Sequence, residues 1–307
     1  MGKNIADEHV KDVVSKKVDL GDRTKYIGGS DAAACMNMSR WRSKLDVYVE
    51  KTGMLPPEDI SEKLAVWLGN ELEEVVAKRF EKETGKKVRR VNRASTNKDL
   101  PDYILCHIDR DVVGEDAILE CKTADSSKAK EWQADEVPTE YVIQCLHNLM
   151  VTGAAYCYIA CLLGNRKFVW KRIDRDEELI AQIKKAEIDL WEKHVVPKVM
   201  PMEFCEFDDE TLKKLFPHAV KDKTVIIDDE SVEMKIESIK EIDAQIKALE
   251  KEQAILKAEI IALFKDAERI ETPNGYSASL KEQAGSTYSV TRKPGRVLRT
   301  SIPKEEK

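Results

Sequence analysis

His107-Ile108-Asp109-Arg110-Asp111-Val112-Val113-Gly114, continuing into Ala117-Ile118-Leu119-Glu120-Cys121-Lys122, holds the residues around which the rest of the chain can be placed. Apolar positions on both sides of Gly114 predict strands over about Tyr103 to Val112 and Asp116 to Lys122, joined as a hairpin. Strand side chains repeat every second residue, so Glu120 and Lys122 share a face, and Asp109 on the adjoining strand can point to the same place. Two carboxylates and an ammonium are costly to bury together unless something neutralises the acids. A hard divalent cation with oxygen ligands does so; magnesium is the natural candidate, with manganese as a substitute and the Cys121 carbonyl as a further ligand. Lys122 can then orient a water or stabilise charge developing on a phosphate. The same residues also describe an exposed polar strand face with a cross-strand ion pair, and Glu-x-Lys spacing alone does not choose between the two.

Outward from this hairpin the chain alternates helical and strand patterns. Upstream, Gly28-Gly29-Ser30-Asp31 before Ala32-Ala33-Ala34 reads as a turn entering a helix, with Ser30 or Asp31 as its cap. Leu64, Trp67, Leu68, Leu72, Val75, Val76, Ala77 and Phe80 follow helical spacing over Ser61 to Thr84, and Gly85 stops the run. A further strand is expected over Lys87 to Asn92. Downstream, Tyr141 to Met150 reads as a buried helix, Ala155 to Leu163 as a buried strand, and Lys167 to Ile173 as its partner across Gly164-Asn165. Beyond Pro197 and Pro201 the character changes. Val232, Ile239, Ile246, Gln253, Ile260 and Ala267 lie seven apart, as do Ile242, Leu249, Leu256, Leu263 and Ile270. Two such rows predict a coiled coil or a tight antiparallel helix pair. Pro273-Asn274-Gly275 then reads as a turn in a small β-rich tail. Residues 1–204 and 205–307 are thus expected as two domains.

The composition, 42% hydrophobic and 35% charged over 307 residues, describes a globular chain and excludes collagen, disorder and small disulfide scaffolds. No apolar run is long enough for a membrane span, and Met1 to Val10 lacks the apolar core of a signal peptide, so a cytoplasmic protein is expected. Seven cysteines without paired spacing fit buried thiols in a reducing compartment. The net charge of −6 argues against nucleic acid until its distribution is considered. Lys78 to Asp99 carries nine basic residues against three acids, and Lys281 to Lys307 carries seven against three. The acidity lies elsewhere, leaving a candidate basic wall just after Glu73.

Several other chemistries lack support. Cys157 and Cys161 sit in an apolar strand with no cysteine triplet to complete an iron–sulfur set, and Cys106, His107 and Cys121 do not have zinc spacing. No Walker A, dinucleotide-binding or nucleophile-elbow pattern occurs. Trp41 and Trp132 are read first as packing residues, with base stacking as the alternative.

In context, Asp109, Glu120 and Lys122 resemble the active-site signature of PD-(D/E)XK nucleases, and within them the YqaJ-type viral recombinase and lambda exonuclease family. Four segments match in order over about Arg23 to Ile173. Trp67-Leu68-Gly69-Asn70-Glu71-Leu72-Glu73 is similar to the family's W-x-G-x-x-x-E helix and implies Glu73 as a third acid, with Glu71 and Glu74 as neighbouring rivals. Tyr141-Val142-Ile143-Gln144 is similar to its Y-x-x-Q helix, implying that Gln144 closes the centre and Tyr141 lines it. Arg23 and Ser30 reproduce the interval of an arginine and a hydroxyl that bind the 5′-phosphate, and Lys128 is a further candidate there. A glycine-rich helix start and a guanidinium suit an anion on physical grounds too. His107-Ile108 departs from the family's usual proline before the acid.

The resemblance implies an α/β (α+β) PD-(D/E)XK restriction-endonuclease-like core, a mixed central sheet flanked by helices, followed here by the helical extension and β-rich tail. It implies a magnesium-dependent 5′-to-3′ exonuclease on double-stranded DNA ends, leaving 3′ single strands for annealing recombination. A homotrimeric ring and a single-strand annealing protein as partner belong to the same expectation. The alternatives are a PD-(D/E)XK endonuclease or nickase that needs no DNA end, and a non-catalytic DNA-binding scaffold.

Overall fold

The computed structural model describes residues 22–56, 60, 62–132, 136–285, 287, 289, 298, 300 and 301. They divide into two compact units that part after Leu215.

The first unit opens with α1 (Gly29–Cys35), whose start lies earlier than the sequence suggests. Gly28 is the cap, and Asp31, three residues in, accepts from the Gly28 N–H at 3.2 Å. In α2 (Lys44–Thr52), Ser43 and Asp46 exchange the two hydrogen bonds of a capping box, and Gly53 in the left-handed region ends the helix. Helix α3 (Leu64–Thr84) ends in the same way at Gly85. Only Val76, Ala77 and Phe80 of its apolar stripe are buried; Leu64, Trp67 and Leu68 remain exposed.

Strands β1 (Val88–Arg90), β2 (Arg110–Val112) and β3 (Ala117–Ala124) follow. The strand expected from Tyr103 shrinks to its last three residues. Its earlier part makes isolated bridges instead, Ile104 with Ile27 and Cys106 with Ser95, because its neighbours there are loop segments and not a continuous ladder. Helix α4 (Thr139–Thr152) links β3 to β4 (Tyr156–Leu163), and these two strands pair in parallel over eight residues, Glu120 opposite Ile159. Strand β5 (Lys167–Asp174) returns antiparallel across Gly164, completing a five-stranded mixed sheet in the order β1-β2-β3-β4-β5.

Alternation along β3 sorts the two faces of the sheet. Ala117 and Leu119 join Phe80, Val76 and Tyr158 under α3, while Ile118 joins Ile143, Leu146 and Leu149 of α4. The polar pair Glu120 and Lys122 continues the Ile118 row and therefore lies under α4. Helix α5 (Glu177–Leu190), capped by Asp176, packs Ile180 and Ile183 into the α4 core. Helix α6 (Asp208–Leu215) is tied to α2 by a hydrogen bond from Thr211 to Asp46, so the first unit runs past residue 204.

The second unit carries one uninterrupted helix, α7 (Glu230–Phe264), where the heptads left a helix pair open. Its periodicity ends before Ala267 and Ile270 because Lys265 turns to φ 49°. Ile270 belongs instead to β6 (Arg269–Glu271), which pairs with β7 (Ser277–Ser279) across the Pro273-Asn274-Gly275 turn. Among the described residues no helix is long and apolar enough to cross a membrane.

Candidate active site

Glu120 and Lys122 meet on the α4 face of β3 as the two-residue period requires, with the Lys122 Nζ 2.7 Å from Glu120 Oε1. Helix α4 lays two amides over them. Gln144 donates from Nε2 to Glu120 Oε1 at 2.7 Å and accepts from Lys122 Nζ at 3.0 Å. Asn148, one turn further, donates to Glu120 Oε2 at 3.1 Å. Gln144 and Asn148 are four residues apart, so helical spacing brings both to one carboxylate. The Tyr141 ring lies 5.2 Å from the Lys122 ammonium and packs against Trp132, which is buried; Trp41 by contrast is exposed.

Asp109 reaches the cluster from the residue before β2. Its Oδ2 accepts the Cys121 N–H at 2.7 Å, just where the β2–β3 ladder has ended at Leu119. A strand residue sends its N–H and C=O to the same side, so the Cys121 carbonyl also faces the Asp109 side. Burial pushes the Asp109 carboxyl well above the usual range, and Glu120 and Glu73 add to the rise. Burial acts on Lys122 in the opposite sense, but Glu120 and Asp109 override it and hold the ammonium above its ordinary value.

Glu73 on α3 is half-buried and accepts from Arg110, with Arg90 3.8 Å away. Arg110 also donates to Glu74 at 2.9 Å, while Glu71 is exposed. Glu73 adds its charge to the rise at Asp109. Among the described residues no three His, Cys, Asp or Glu side chains already converge as a ready metal set. The acids lean on the protein's own cations, Glu120 on Lys122 and Glu73 on Arg110. Their chemistry nonetheless fits a small divalent ion: Asp109, Glu120 and the Cys121 carbonyl are hard oxygen donors on β3 and just before β2, with Asp109 Oδ2 on the Cys121 N–H at 2.7 Å.

Arg23 and Ser30 also meet, Nη2 donating to Oγ at 2.8 Å. Beneath them Asp31 is fully buried among three cations: Arg42 at 2.6 Å, Lys51 at 2.9 Å and Arg23 at 3.7 Å. Burial would raise its pKa, but Lys51, Arg42 and Arg23 hold it below the usual value. Gly29 joins this cluster to the carboxylate centre. A methyl group at Gly29 would lie 2.6 Å from Asn148 Oδ1 and 3.2 Å from Gln144 Cγ, so only glycine lets α1 close onto α4. Gly29→Ala is expected to displace the Asn148 amide from Glu120 and to cost about 10²-fold in activity. The overpacking should cost about 1–3 kcal/mol in stability, so rates and melting curves of the same sample separate the two effects. Lys128 lies exposed in the short 3-10 helix Ser126–Trp132, paired with Glu131 at 3.0 Å.

Arg42, Lys51, Arg110 and Asn148 carry this site but were not singled out in the sequence. Only Asn148 left a signal there, four residues after Gln144. The basic wall expected after Glu73 is largely compensated. Lys78, Arg79, Lys86, Lys87, Arg89 and Arg90 each pair with an acid. All seven cysteines are free thiols, five of them buried, Cys157 and Cys161 included.

The fold and centre thus define a mixed α/β protein with an acid, lysine and amide cluster between its central strand and the following helix. Residues 20–155 match the YqaJ-like viral recombinase domain. The YqaJ protein of Bacillus subtilis (strain 168) is 38% identical over 252 residues, 81% of this chain and 78% of its own. The chain belongs to the YqaJ-like viral recombinase family. Among solved structures, the alkaline exonuclease LHK-Exo from Laribacter hongkongensis aligns at a TM-score of 0.47 and 18% identity, over 58% of this chain and 91% of its own. A phage related exonuclease from Haemophilus somnus 129PT aligns at 0.40 and 14%, over 58% and 96%.

Proposed function

We propose that the chain is a divalent-metal-dependent deoxyribonuclease that degrades one strand of linear duplex DNA from its 5′ end. The observation that carries this reading is the hydrogen-bonded set of Glu120, Lys122 and Gln144, with Asp109 on the adjoining strand edge. Membership of a viral recombinase family supports DNA as the substrate, and free thiols throughout fit a cytoplasmic protein.

Asp109, Glu120 and the Cys121 carbonyl would hold magnesium, with Glu73 assisting once it leaves Arg110. When bound, the ion supplies charge neutralisation and activation of water at a phosphodiester. Lys122 donates from Nζ to the attacking water or the phosphate oxygen. Gln144 and Asn148 hold Glu120 in one rotamer, and Gln144 also positions the lysine. Arg23 and Ser30 grip the terminal phosphate of the 5′ strand, with Tyr141 lining the path to the centre and Lys128 as an outlying cation. The remaining 3′ strand is a substrate for a single-strand annealing protein, which would act as partner to a ring-shaped homo-oligomer.

Duplex DNA labelled at one end provides the test, with magnesium and with chelator. Label at the 5′ end should appear early as mononucleotide, label at the 3′ end should stay on long fragments that shorten with time, and chelator should leave both labels on full-length DNA. Cutting of closed circular DNA would instead favour an endonuclease, and binding without turnover under every metal condition would favour a scaffold.

A further inference from the structure

Helix α7 runs 35 residues, about 52 Å at the usual rise, and its apolar rows are exposed. Ile242, Ile246, Leu249, Leu256, Ile260 and Leu263 are each close to half exposed or more. Only Phe264 in the entire helix is buried. A continuous apolar seam of this length marks a surface built for a partner.

We infer that this partner is a second copy of the same chain, and that two α7 helices form a parallel, in-register coiled coil. Three features of the seam select that occupant. First, Val232, Ile239, Ile246 and Ile260 put β-branched residues at one core position, while the other row, after Lys235 and Ile242, settles into Leu249, Leu256 and Leu263, the combination that favours two parallel strands over the second half of the helix. Second, the one polar residue within the first row, Gln253, meets its own copy only when the helices are parallel and in register, so each amide finds an amide. An antiparallel pair in full overlap would set Gln253 against Ile242, burying its amide on an aliphatic side chain. Lys235, which meets its own copy in the parallel register, lies in the second turn of the helix, where its long stem can carry the ammonium out to water.

Third, the flanking charges agree. In the parallel register Glu252 of one helix faces Lys257 of the other, twice by symmetry, and Gln245 faces Glu250 without like-charge contact. Within one helix Lys257 already leans toward the seam, donating to Gln253 Oε1 at 2.8 Å. Antiparallel packing would bring Asp243 beside Glu250 instead. The inference is independent of the nuclease reading, since no residue of the carboxylate centre enters it, and a two-fold pairing through α7 is a contact distinct from the homotrimeric ring that the resemblance implies.

Disulfide trapping on the full-length chain tests it. Gln253→Cys and, separately, Ile260→Cys should each yield a covalent dimer under mild oxidation, because in the parallel register each new thiol faces its own copy. Ala258→Cys, on the outer side of the helix, and the unaltered chain should remain single bands on a denaturing gel. Adding Lys257→Glu to Gln253→Cys should abolish most of the dimer, and adding Glu252→Lys as well should restore it. Failure of both seam cysteines to cross-link above Ala258→Cys would overturn the proposal. So would indifference to the charge reversal, which would leave a partner other than a second parallel copy.

Discussion

Lys122→Ala should slow degradation of linear duplex DNA by about 10²–10³-fold, the effect typical of removing one donor aimed at developing charge. Among the described residues the ammonium is the only cation in contact with the Glu120 carboxylate, at 2.7 Å, and it also anchors Gln144 at 3.0 Å. Alanine removes the donor proposed for the reacting phosphate and frees the Gln144 side chain that holds it. Lys122→Arg should not restore the rate, because a planar fork cannot occupy the point between Glu120, Gln144 and the Tyr141 ring. The loss should appear in kcat, with binding of labelled duplex nearly unchanged, since the centre meets only the scissile phosphate. An alanine variant that keeps more than half of the wild-type rate would remove Lys122 from the proposed mechanism.

His147→Ala is expected to destabilise the first unit by about 3–5 kcal/mol near neutral pH, the cost of stranding one member of a buried pair. His147 and Glu187 are both wholly buried, Nδ1 to Oε1 at 2.7 Å, and the other ring nitrogen meets the Leu105 carbonyl at 3.1 Å. Alanine would leave the Glu187 carboxylate in the core without its partner. Burial alone would lower the histidine pKa, but Glu187 and the Leu105 carbonyl raise it above its usual value near 6.5, with Asp31 adding. The folded state therefore favours the protonated ring. Its contribution is complete below the unfolded value and declines as pH rises through the higher folded one. Denaturant midpoints of the wild-type chain should fall over that window. The same fall should be absent in His147→Ala, and identical pH slopes in the two proteins would contradict the assignment.

Local rules made much of the fold legible. Gly85, Gly114 and Gly164 stand where the chain must turn with positive φ, and each ended an expected helix or strand at its true boundary. Alternation placed Glu120 and Lys122 on one face before any partner was known. Where expectations departed, the missing information was nonlocal. The strand from Tyr103 broke down because pairing depends on what lies alongside, and the Leu64, Trp67 and Leu68 stripe stayed exposed because helical spacing does not say how far a sheet extends beneath it. The basic stretch after Glu73 looked like an open cationic wall, yet acids on α3, β2 and the Gly114 turn meet most of it.

By itself the sequence determined that Glu120 and Lys122 share one strand face and that α7 carries heptads, because each follows from a short repeat along one element, whereas Glu73 and Gln144 entered only through the resemblance. Only the tertiary structure decided that Asn148 completes the grip on Glu120, that Arg110 takes Glu73, that Arg42 and Lys51 neutralise Asp31, and that His147 and Glu187 pair within the core. Those contacts join residues separated by 11 to 40 positions, and side-chain period carries no information over such distances. Packing of α4 on the central strands, of α1 and α5 on α4, of α2 on α1 and of α3 on the opposite face supplies it, because burying a charge is tolerated only where a partner arrives from another element.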